Sequence, residues 1–256
     1  MNTNIGVFED RDVVREQQFG AIWRDLIPKV FADVPKYYDK GNAIASLGLM
    51  SLWSDRFVKN IKLPEGAIVL DVCTGTHEVA RRLLKYNPNA TVLAIDRSAE
   101  MIEEGQRVIA KTGLTIDATV GDVHTLPYDD ASFDAVTLQF STRHLRVVEV
   151  FREIYRVLKP GGVFYHSDML RPSSIIIEKP YMWYLPLFLN LTATLMRSTE
   201  ESRQCVTYFS ESIKGYLTPA EMTELLRAIG FENIEEYSFM TGVFSRHSAQ
   251  KPMTAK

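Results

Sequence analysis

The chain has 256 residues, of which 46% are hydrophobic and 24% charged, and its formal net charge is -3 at pH 7. This length and composition are typical of a globular protein that buries its own core. The slightly acidic balance argues against a nucleic-acid partner bound by neutralising phosphates. Because the chain has only two cysteines, no disulfide framework is expected, and a reducing cytoplasm is the predicted compartment.

The N-terminal part, residues 1–63, is predicted to form a helical cap. Residues 1–12 carry no apolar signal-peptide core and are expected to be frayed. From residue 13 to residue 32 apolar side chains recur at near-helical spacing, and Pro28 is expected to bend this helix. A second helical segment is predicted over residues 44–61. Its expected inner face comprises Leu47, Leu49, Trp53 and Phe57.

Strand and helix patterns then alternate along the chain. The predicted strands are residues 67–73, 90–95, 115–120, 133–140 and 163–169, and the predicted helices are residues 77–86, 98–111 and 145–158. Regular alternation predicts a parallel sheet with helices on both faces. In such sheets ligands bind at the carboxyl ends of the strands, near the point where the strand order reverses.

A long insertion at residues 171–215 interrupts the alternation and is predicted to contain helices of its own. A capping box at Thr218 and Glu221, with Pro219 in the first helical position, then predicts a helix that ends near Gly230. The remaining segments are a predicted strand pair at residues 231–239 and 242–247 and a tail at residues 248–256 that is expected to be disordered.

Residues 181–196 of the insertion are strongly apolar. The stretch is shorter than the roughly 20 residues that span a bilayer, and Pro186 and Asn190 interrupt it. We favour a buried or half-buried helix pair. The alternative is an apolar lid over a hydrophobic substrate, in contact with a membrane surface, and composition alone does not separate the two.

The transition from the first strand to the next helix, residues 68–80, is the most informative stretch. A strand end that leads into a helix presents backbone N–H groups and the positive end of the helix dipole to a ligand. Asp71 precedes the turn and Gly75 lies within it. The spacing resembles the cofactor loop of Rossmann-like S-adenosylmethionine-dependent methyltransferases. It is not the dinucleotide fingerprint, because that motif requires glycine at Cys73 and Glu78.

Several segments together resemble the ubiquinone/menaquinone C-methyltransferase family, over about residues 15–247. The matching segments are residues 30–31, 36–39, 42, 70–78, 121–122, 126–129, 132–134, 140–144, 155–162, 211–213 and 241–243. The resemblance implies an α/β, Rossmann-like class I methyltransferase with a mostly parallel seven-stranded sheet and helices on both faces. It also implies N-terminal helices, a methyltransferase domain at residues 64–247 with a helical lid insertion at residues 171–215, and S-adenosyl-L-methionine as cofactor.

The cofactor-binding residues follow from this resemblance and from the strand ends. Asp96, after the second strand, is predicted to accept hydrogen bonds from the ribose hydroxyls, and its alternative role is helix capping. Asp122, after the third strand, is predicted to bind the adenine amino group with Val123 beside it, or else to be a loop carboxylate. The full predicted set is Asp71, Cys73, Gly75, Thr76, His77, Asp96, Arg97, Met101, Asp122, Val123 and Gln139. Arg97 and Met101 would flank the adenine, although Met101 fits the core equally well.

His77 departs from the family, which has small residues and glycines where this chain has Cys73, Thr74 and His77. A bulky ring here lies where the backbone normally approaches the cofactor closely. The imidazole would contact the cofactor carboxylate, turn to solvent, or reduce the affinity for the cofactor. Retained binding is favoured, because Asp71, Gly75 and the later carboxylates are present.

The acceptor-side residues are Tyr38, Arg143 and His144. By resemblance, Arg143 would orient a ring hydroxyl or help to deprotonate it, working with Tyr38 through a water. A guanidinium lowers the pKa of a nearby hydroxyl but cannot itself be the base. His144 replaces the asparagine of the family, and we weigh a general-base role equally against a capping or surface histidine.

A metal is not predicted, although His77, His144, His166 and Asp168 all lie near strand ends, because no ligand-spacing motif is present. The leading hypothesis is C-methylation of a quinol or another phenolic small molecule, ortho to a hydroxyl. The alternatives are O- or N-methylation of a soluble metabolite and a non-catalytic, methyltransferase-like binding protein. A homodimer and peripheral membrane contact stay open.

Overall fold

The computed structural model describes residues 5–195 and 200–253. These residues form one mixed sheet that is flanked by helices. The strands are β1 Ile68–Val72, β2 Thr91–Asp96, β3 Asp117–Val120, β4 Phe133–Gln139, β5 Leu158–Asp168, β6 Glu232–Phe239 and β7 Phe244–Gln250. The helices are α1 Gly6–Ala21, α2 Ile27–Asp33, α3 Pro35–Ala45, α4 Leu49–Lys59, α5 Glu78–Tyr86, α6 Ala99–Ile109, α7 Val147–Val157, α8 Ile175–Leu195, α9 Glu200–Lys214 and α10 Pro219–Ile229.

The seven strands lie in the order β3-β2-β1-β4-β5-β7-β6. The first five are parallel, and β7 runs antiparallel to both β5 and β6. The strand order reverses between β1 and β4, where Val72 is paired with Ile95 on one side and with Leu138 on the other. This arrangement confirms the predicted fold class, and it places the switch point at the loop that follows β1.

The core lies on both faces of the sheet. Leu70 and Phe151 belong to the cluster on one face, and Val69 and Leu83 belong to the cluster on the other, all of them fully buried. Near-continuous apolar runs such as Ile68–Val72 are expected where helices cover both faces of a parallel sheet.

The first helix begins earlier than expected. Helix α1 starts at Gly6, Phe8 is buried in the main core, and a carboxylate oxygen of Asp12 accepts a hydrogen bond from the Val148 N–H at 2.9 Å. The expectation that residues 1–12 are frayed was therefore wrong over residues 5–12, because both side chains anchor the helix. Residues 1–4 lie outside the described residues.

The predicted bend at Pro28 takes the form of a π-helical turn at Ile22–Leu26, between α1 and α2. In this turn the Ile27 N–H donates to the carbonyl of Ile22. Proline has no N–H for the helical ladder and lies in the first turn of α2, so the ladder restarts there. The widened turn carries Trp23 into the interior.

Two helices replace the single segment predicted at residues 44–61. Gly48 has a left-handed backbone, with φ of 80°, and it separates α3 from α4. Leu47 lies in the turn between the helices and Leu49 is the first residue of α4, and both are exposed rather than on an inner face. Trp53 and Phe57 are buried as predicted.

The insertion at residues 171–215 contains α8 and α9, as predicted. None of the helices that the structure describes is both long enough and apolar enough to cross a bilayer. The capping box of Thr218 and Glu221 is formed, and α10 ends at Gly230. Strand β7 extends to Gln250, so the disordered tail was predicted to begin too early; residues 254–256 lie outside the described residues.

Candidate active site

Two neighbouring cavities lie at the carboxyl ends of the parallel strands. The polar cavity, of about 440 Å³, is bounded by the loop after β1 and by the ends of β2, β3 and β4. The apolar cavity, of about 560 Å³, is bounded mainly by α3, α4 and α8. Both cavities are lined by Phe31, Tyr38, Asn42, Met50, Phe140 and His144. A small molecule in one cavity would therefore be in reach of a small molecule in the other.

The loop at residues 73–77 follows the backbone path that a glycine-rich loop would take. Cys73, Gly75 and His77 have φ angles of 53°, 54° and 62°. The left-handed region costs a residue with a side chain about 1–2 kcal/mol, and only glycine adopts it freely. Two contacts hold the loop: the Thr74 N–H donates to the Ile95 carbonyl at 3.2 Å, and the Gly75 N–H donates to the Asp96 carboxylate at 2.8 Å.

Asp71 braces this loop from below. Its two carboxylate oxygens accept hydrogen bonds from the hydroxyls of Thr137 and Thr74, each at 2.6 Å. Burial raises the pKa of Asp71 to about 6. The side chain is buried at the floor of the polar cavity, which positions the loop for a ligand above it.

The imidazole of His77 points away from the polar cavity, which it does not line. The ring is fully buried, its Nδ1 lies 3.2 Å from the Thr74 hydroxyl, and it packs so closely on α6 that a Cβ atom on Gly105 would collide with it. Burial lowers its pKa to about 4. The ring thus neither reaches a ligand in the cavity nor turns to solvent, which corrects both expectations. The third expectation was a reduced affinity for the cofactor. It loses its steric basis, because the ring does not occupy the cavity.

Two carboxylates lie at the strand ends, where they were predicted. Asp96 lines the polar cavity and accepts hydrogen bonds from the N–H groups of Gly75 and Ser98, at 2.8 and 2.9 Å. Asp122 is more exposed, and one of its oxygens lies 2.6 Å from Nδ1 of His124. That hydrogen bond is the main cause that lowers the pKa of Asp122 to about 2. Each of the two carboxylates therefore makes a local hydrogen bond and also lines the polar cavity.

The other predicted cofactor residues also line the polar cavity: Cys73, Gly75, Thr76, Arg97, Met101, Val123 and Gln139. Met101 is at the same time buried against Gly75, so its two expected roles are compatible. Gln139 accepts a hydrogen bond from Ser54 at 2.7 Å and lies 3.3 Å from the Ser167 hydroxyl.

Arg143 is the notable side chain on the apolar side. It lines the apolar cavity, is 3% exposed, and lies with its guanidinium carbon 5.7 Å from the ring centre of Phe209. Its Nε and Nη1 have no hydrogen-bond partner among residues 5–195 and 200–253. A buried cation normally has its donors satisfied. Arg143 therefore places a buried positive charge at the wall of the apolar cavity.

His144 and Tyr38 lie between the cavities. Nδ1 of His144 is 2.6 Å from the Tyr208 hydroxyl, and burial, together with the nearby Arg143 and Arg15, keeps the pKa of His144 well below its usual value. It is therefore neutral near pH 7. Burial also raises the pKa of Tyr38, which keeps its hydroxyl protonated.

Some residues of the site were not predicted from the sequence. Asp39 accepts a hydrogen bond from Thr76 at 2.9 Å and so ties α3 to the loop after β1. Asp39 lies in a segment that matched the family, but nothing in the sequence pairs it with Thr76. Tyr208 and Arg15 come from distant helices, and no local pattern marks them.

No group of three or more histidine, cysteine, aspartate or glutamate side chains within the described ranges could hold a metal ion. The four residues near strand ends have separate surroundings: His77 packs on α6, His144 contacts Tyr208, His166 packs between Phe151 and Phe164, and Asp168 accepts two hydrogen bonds from Thr142.

The strand order and the polar cavity at the switch point define the class of the fold, that of the Rossmann-like S-adenosylmethionine-dependent methyltransferases. Among solved structures, a methyltransferase of Aquifex aeolicus that depends on this cofactor is similar over 77% of this chain and 88% of its own, with a TM-score of 0.55 and 18% identity. The [4+2]-cyclase SpnF has the same fold, with a TM-score of 0.56, 18% identity and coverage of 80% and 81%. The fold by itself therefore does not define the reaction.

The sequence comparisons are more specific. The profile of the ubiE/COQ5 methyltransferase family matches residues 14–251, and the chain belongs to that family. A demethylmenaquinone methyltransferase of Staphylococcus carnosus is 30% identical over 89% of this chain and 94% of its own. A ubiquinone/menaquinone biosynthesis C-methyltransferase of Rubrivivax gelatinosus is 32% identical over 90% and 88%. The resemblance seen in the sequence is confirmed.

The protein is thus a methyltransferase whose cofactor is S-adenosyl-L-methionine. The polar cavity fits that group, because it combines the loop at residues 73–76 with carboxylates at two strand ends. Asp96 and Asp122 line this cavity, and carboxylates can accept hydrogen bonds from hydroxyl and amino groups; Gly75, which also lines it, has no side chain to hinder close approach.

Proposed function

We propose that the protein transfers the methyl group of S-adenosylmethionine to a ring carbon of a quinol that carries an apolar chain. The two curated relatives described above are named for demethylmenaquinone and for ubiquinone/menaquinone biosynthesis. The observation that carries the proposal is the buried positive charge of Arg143 at the wall of an otherwise apolar cavity. Such a cavity fits an apolar molecule with one oxygen that becomes negative.

On the cofactor side, we assign the ribose hydroxyls to Asp96 and the adenine amino group to Asp122, with Val123 packed beside the base. The loop around Gly75 would hold the amino-acid moiety. When bound there, the cofactor supplies an electrophilic methyl carbon. The task of these residues is to orient it toward the acceptor, and orientation of this kind is worth on the order of 7–11 kcal/mol of barrier.

On the acceptor side, Arg143 would bind the quinol oxygen and stabilise its deprotonated form. The ring carbon ortho to that oxygen becomes nucleophilic only as the hydroxyl proton leaves to a water, and the proton on the methylated carbon would then pass to solvent, which restores the aromatic ring. A buried cation at the cavity wall favours that state electrostatically. Tyr38 would contribute through a water, as in the role that the family resemblance implies.

His144 suits orientation better than proton removal. A strong general base would need a pKa near the working pH, and burial and Arg143 keep the pKa of His144 well below 6.5. With Nδ1 engaged by Tyr208, we assign Nε2 to hold the acceptor hydroxyl. Orientation of the acceptor is therefore favoured over the predicted general-base role of His144.

A methyl-transfer assay tests the proposal directly. The purified protein is incubated with methyl-labelled S-adenosylmethionine and, in parallel, with demethylmenaquinol, a simple phenol and a catechol. We expect label on a ring carbon of the quinol, located by mass spectrometry and NMR. Label on an oxygen or a nitrogen, or a preference for the soluble phenols, would support the alternative acceptors. Cofactor binding without transfer to any acceptor would support a non-catalytic relative.

We also propose a division of labour within the chain, with residues 1–63 as a helical cap, residues 64–247 as the methyltransferase domain and residues 171–215 as a lid. Helix α8 packs on α3 and α9, and it contributes Tyr181 and Leu185 to the apolar cavity. The lid would exclude water from the acceptor, which strengthens the interaction between Arg143 and an oxyanion.

The mouth of the apolar cavity supports peripheral membrane contact. Leu47 and Ile176 line the cavity and are 70% and 78% exposed, and Trp183 on α8 is 73% exposed. Such clusters are typical of surfaces that meet lipid. The test is sedimentation with phospholipid vesicles. Trp183→Glu should bind fewer vesicles than the wild type, whereas Val120→Asp, at an exposed site on β3, should bind as the wild type does. Equal binding of the wild type and both variants would contradict the proposal.

A further inference from the structure

Arg15 of α1 reaches the backbone of the loop that carries Arg143 and His144. The side chain is buried, with 4% exposure. Its Nη2 donates to the Arg143 carbonyl at 2.7 Å, and its Nη1 lies 3.3 Å from the Leu145 carbonyl. One guanidinium thus spans the loop on both sides of His144.

The position of Arg15 is itself fixed. Its guanidinium carbon lies 5.3 Å from the ring centre of Trp23 and 4.6 Å from that of Tyr216. Planar guanidinium groups stack favourably on aromatic faces. The two rings therefore hold the plane of Arg15, and its N–H groups can point only in a few directions.

Asp12 extends this support to the next helix. One of its oxygens accepts from Arg15 at 3.2 Å, and the other accepts from the N–H of Val148, in the first turn of α7, at 2.9 Å. The first N–H groups of a helix have no partner within the helix. Asp12 therefore fixes the start of α7, while Arg15 fixes the loop just before it.

Tyr208 of α9 holds the same loop from another direction. Its hydroxyl accepts a hydrogen bond from Nε1 of Trp23 at 2.8 Å, and it lies 3.2 Å from the Arg143 carbonyl and 2.6 Å from Nδ1 of His144. The Arg143 carbonyl is thus contacted by two side chains from opposite ends of the sequence. Neither of them lines either cavity.

We propose that Arg15 is a positioning residue for methyl transfer: by holding the carbonyls of Arg143 and Leu145, it sets where the Arg143 and His144 side chains meet the acceptor. The inference rests on the acceptor-side roles proposed above for those two residues. Catalytic groups must be held to about half an ångström, and a displacement of about 1 Å can lower the rate on the order of 100-fold. A helix at the start of the chain would therefore control the chemistry without touching the substrate.

Arg11 provides a matched control. It lies one turn earlier on α1, and it also joins a carboxylate and a carbonyl, Glu221 at 2.8 Å and Tyr216 at 3.3 Å. It anchors the helix to α10 and does not contact the Arg143 loop. If Arg15 served only to attach α1, its loss and the loss of Arg11 would have similar consequences.

The experiment compares the variants R15M, R15K and R11M. Because R15M leaves Asp12 without its cation, the D12N/R15M double variant is made beside it. We expect kcat of R15M and of the double variant to fall about 10- to 100-fold, with the Kd for S-adenosylhomocysteine unchanged within about 3-fold. R15K, which retains a donor, should recover part of the loss. R11M should retain kcat within about 3-fold. Urea unfolding measures the stability of each variant, so that kcat is compared between variants that have lost a similar free energy of unfolding.

A second readout does not require activity. In protein with 15N-labelled histidine, the imidazole resonances of His144 should shift in R15M and stay in place in R11M. An unchanged His144 signal, or equal losses of kcat in R15M and R11M, would overturn the assignment of Arg15. If instead the wild-type protein methylates no quinol while the His144 signal responds to R15M, the proposed substrate fails and the positioning role stands.

Discussion

The two cavities are held in shape by different kinds of contacts. In the polar cavity, short links along the strands and their loops are prominent: Thr74 contacts Asp71 three positions away, and Gly75 contacts Asp96 at 21 positions. In the apolar cavity, Arg15 contacts the Arg143 backbone across 128 positions, and Tyr208 contacts His144 across 64. The sheet thus supplies the loop and the carboxylates of the cofactor side, which Asp39 of α3 and Ser54 of α4 brace, while the acceptor side depends on helices from both ends of the chain. We expect acceptor chemistry to change more readily than cofactor binding.

The largest expected effect is on the acceptor side alone. Arg143→Met should lower kcat about 100- to 1,000-fold, the range seen when one donor to a developing oxyanion is removed. The Kd for S-adenosylhomocysteine, measured by titration calorimetry, should stay close to that of the wild type, because Arg143 does not line the polar cavity.

Arg143→Lys keeps the charge but loses the fork of donors, so partial activity is expected. Arg171→Met is a matched control, since Arg171 also has a buried Nε without a hydrogen-bond partner in the described part of the chain and lines neither cavity. Similar losses of kcat in R143M and R171M would show that Arg143 acts only through stability.

The converse experiment is on the cofactor side. Asp96→Ala should weaken cofactor binding by about 1–3 kcal/mol, the usual effect of losing a charged hydrogen-bond partner. The measurement is calorimetry with S-adenosylhomocysteine. Asp130→Ala, an exposed carboxylate paired with Arg156, is the control and should bind normally. A normal dissociation constant for D96A would contradict the ribose assignment.

The contrast between the cavities also explains which parts of the site could be predicted from the sequence. Asp96 and Asp122 follow strands, and the strand order places such residues at one edge of the sheet, so their approach to the polar cavity was predictable. The contact of Arg15 with residue 143 was not, because helical spacing shows which face of α1 is buried but not what lies opposite. Arg15 and Asp12 are charged residues on a buried face, where periodicity predicts apolar ones.

The direction of the His77 ring was unpredictable for a related reason. The sequence places a bulky residue in a close-packed loop, but whether the ring turns inward or outward depends on the space beside Gly105 of α6. Leu47 and Leu49 show the same dependence at the other cavity. One left-handed residue, Gly48, ends the helical segment, so Leu47 falls in the turn and Leu49 at the exposed start of α4.

The third expected effect is a pH dependence of the free energy of unfolding, caused by a buried histidine of the sheet near the acceptor side. His166 on β5 is fully buried, and neither of its ring nitrogens has a partner within the described residues. Burial keeps its pKa well below the usual value. The folded state therefore favours the neutral ring, so this stabilisation is complete above the unfolded pKa of about 6.5 and is lost as the pH falls below it.

His166→Phe removes that dependence while keeping a ring beside Phe151 and Phe164. Between pH 7 and pH 5, the free energy of unfolding of the wild type should fall by about 2 kcal/mol more than that of the variant. Urea unfolding at the two pH values measures the difference. Parallel pH profiles would contradict this prediction, because they would show that the charged His166 ring gains a hydrogen-bond acceptor and that its pKa is not lowered.

The smallest expected effect returns to the loop of the polar cavity. Cys73 and His77 both have left-handed backbones, but Cys73 has a small side chain at the cavity and His77 has a buried ring. Cys73→Gly should raise the free energy of unfolding by up to about 1 kcal/mol, because strain is relieved and little packing is lost. His77→Gly relieves the same strain but leaves a cavity against α6, so the net change should be destabilising. Both should still bind S-adenosylhomocysteine, because the N–H contacts of Thr74 and Gly75 that hold the loop involve neither side chain. If C73G were the less stable of the two, the strain would not be in the backbone.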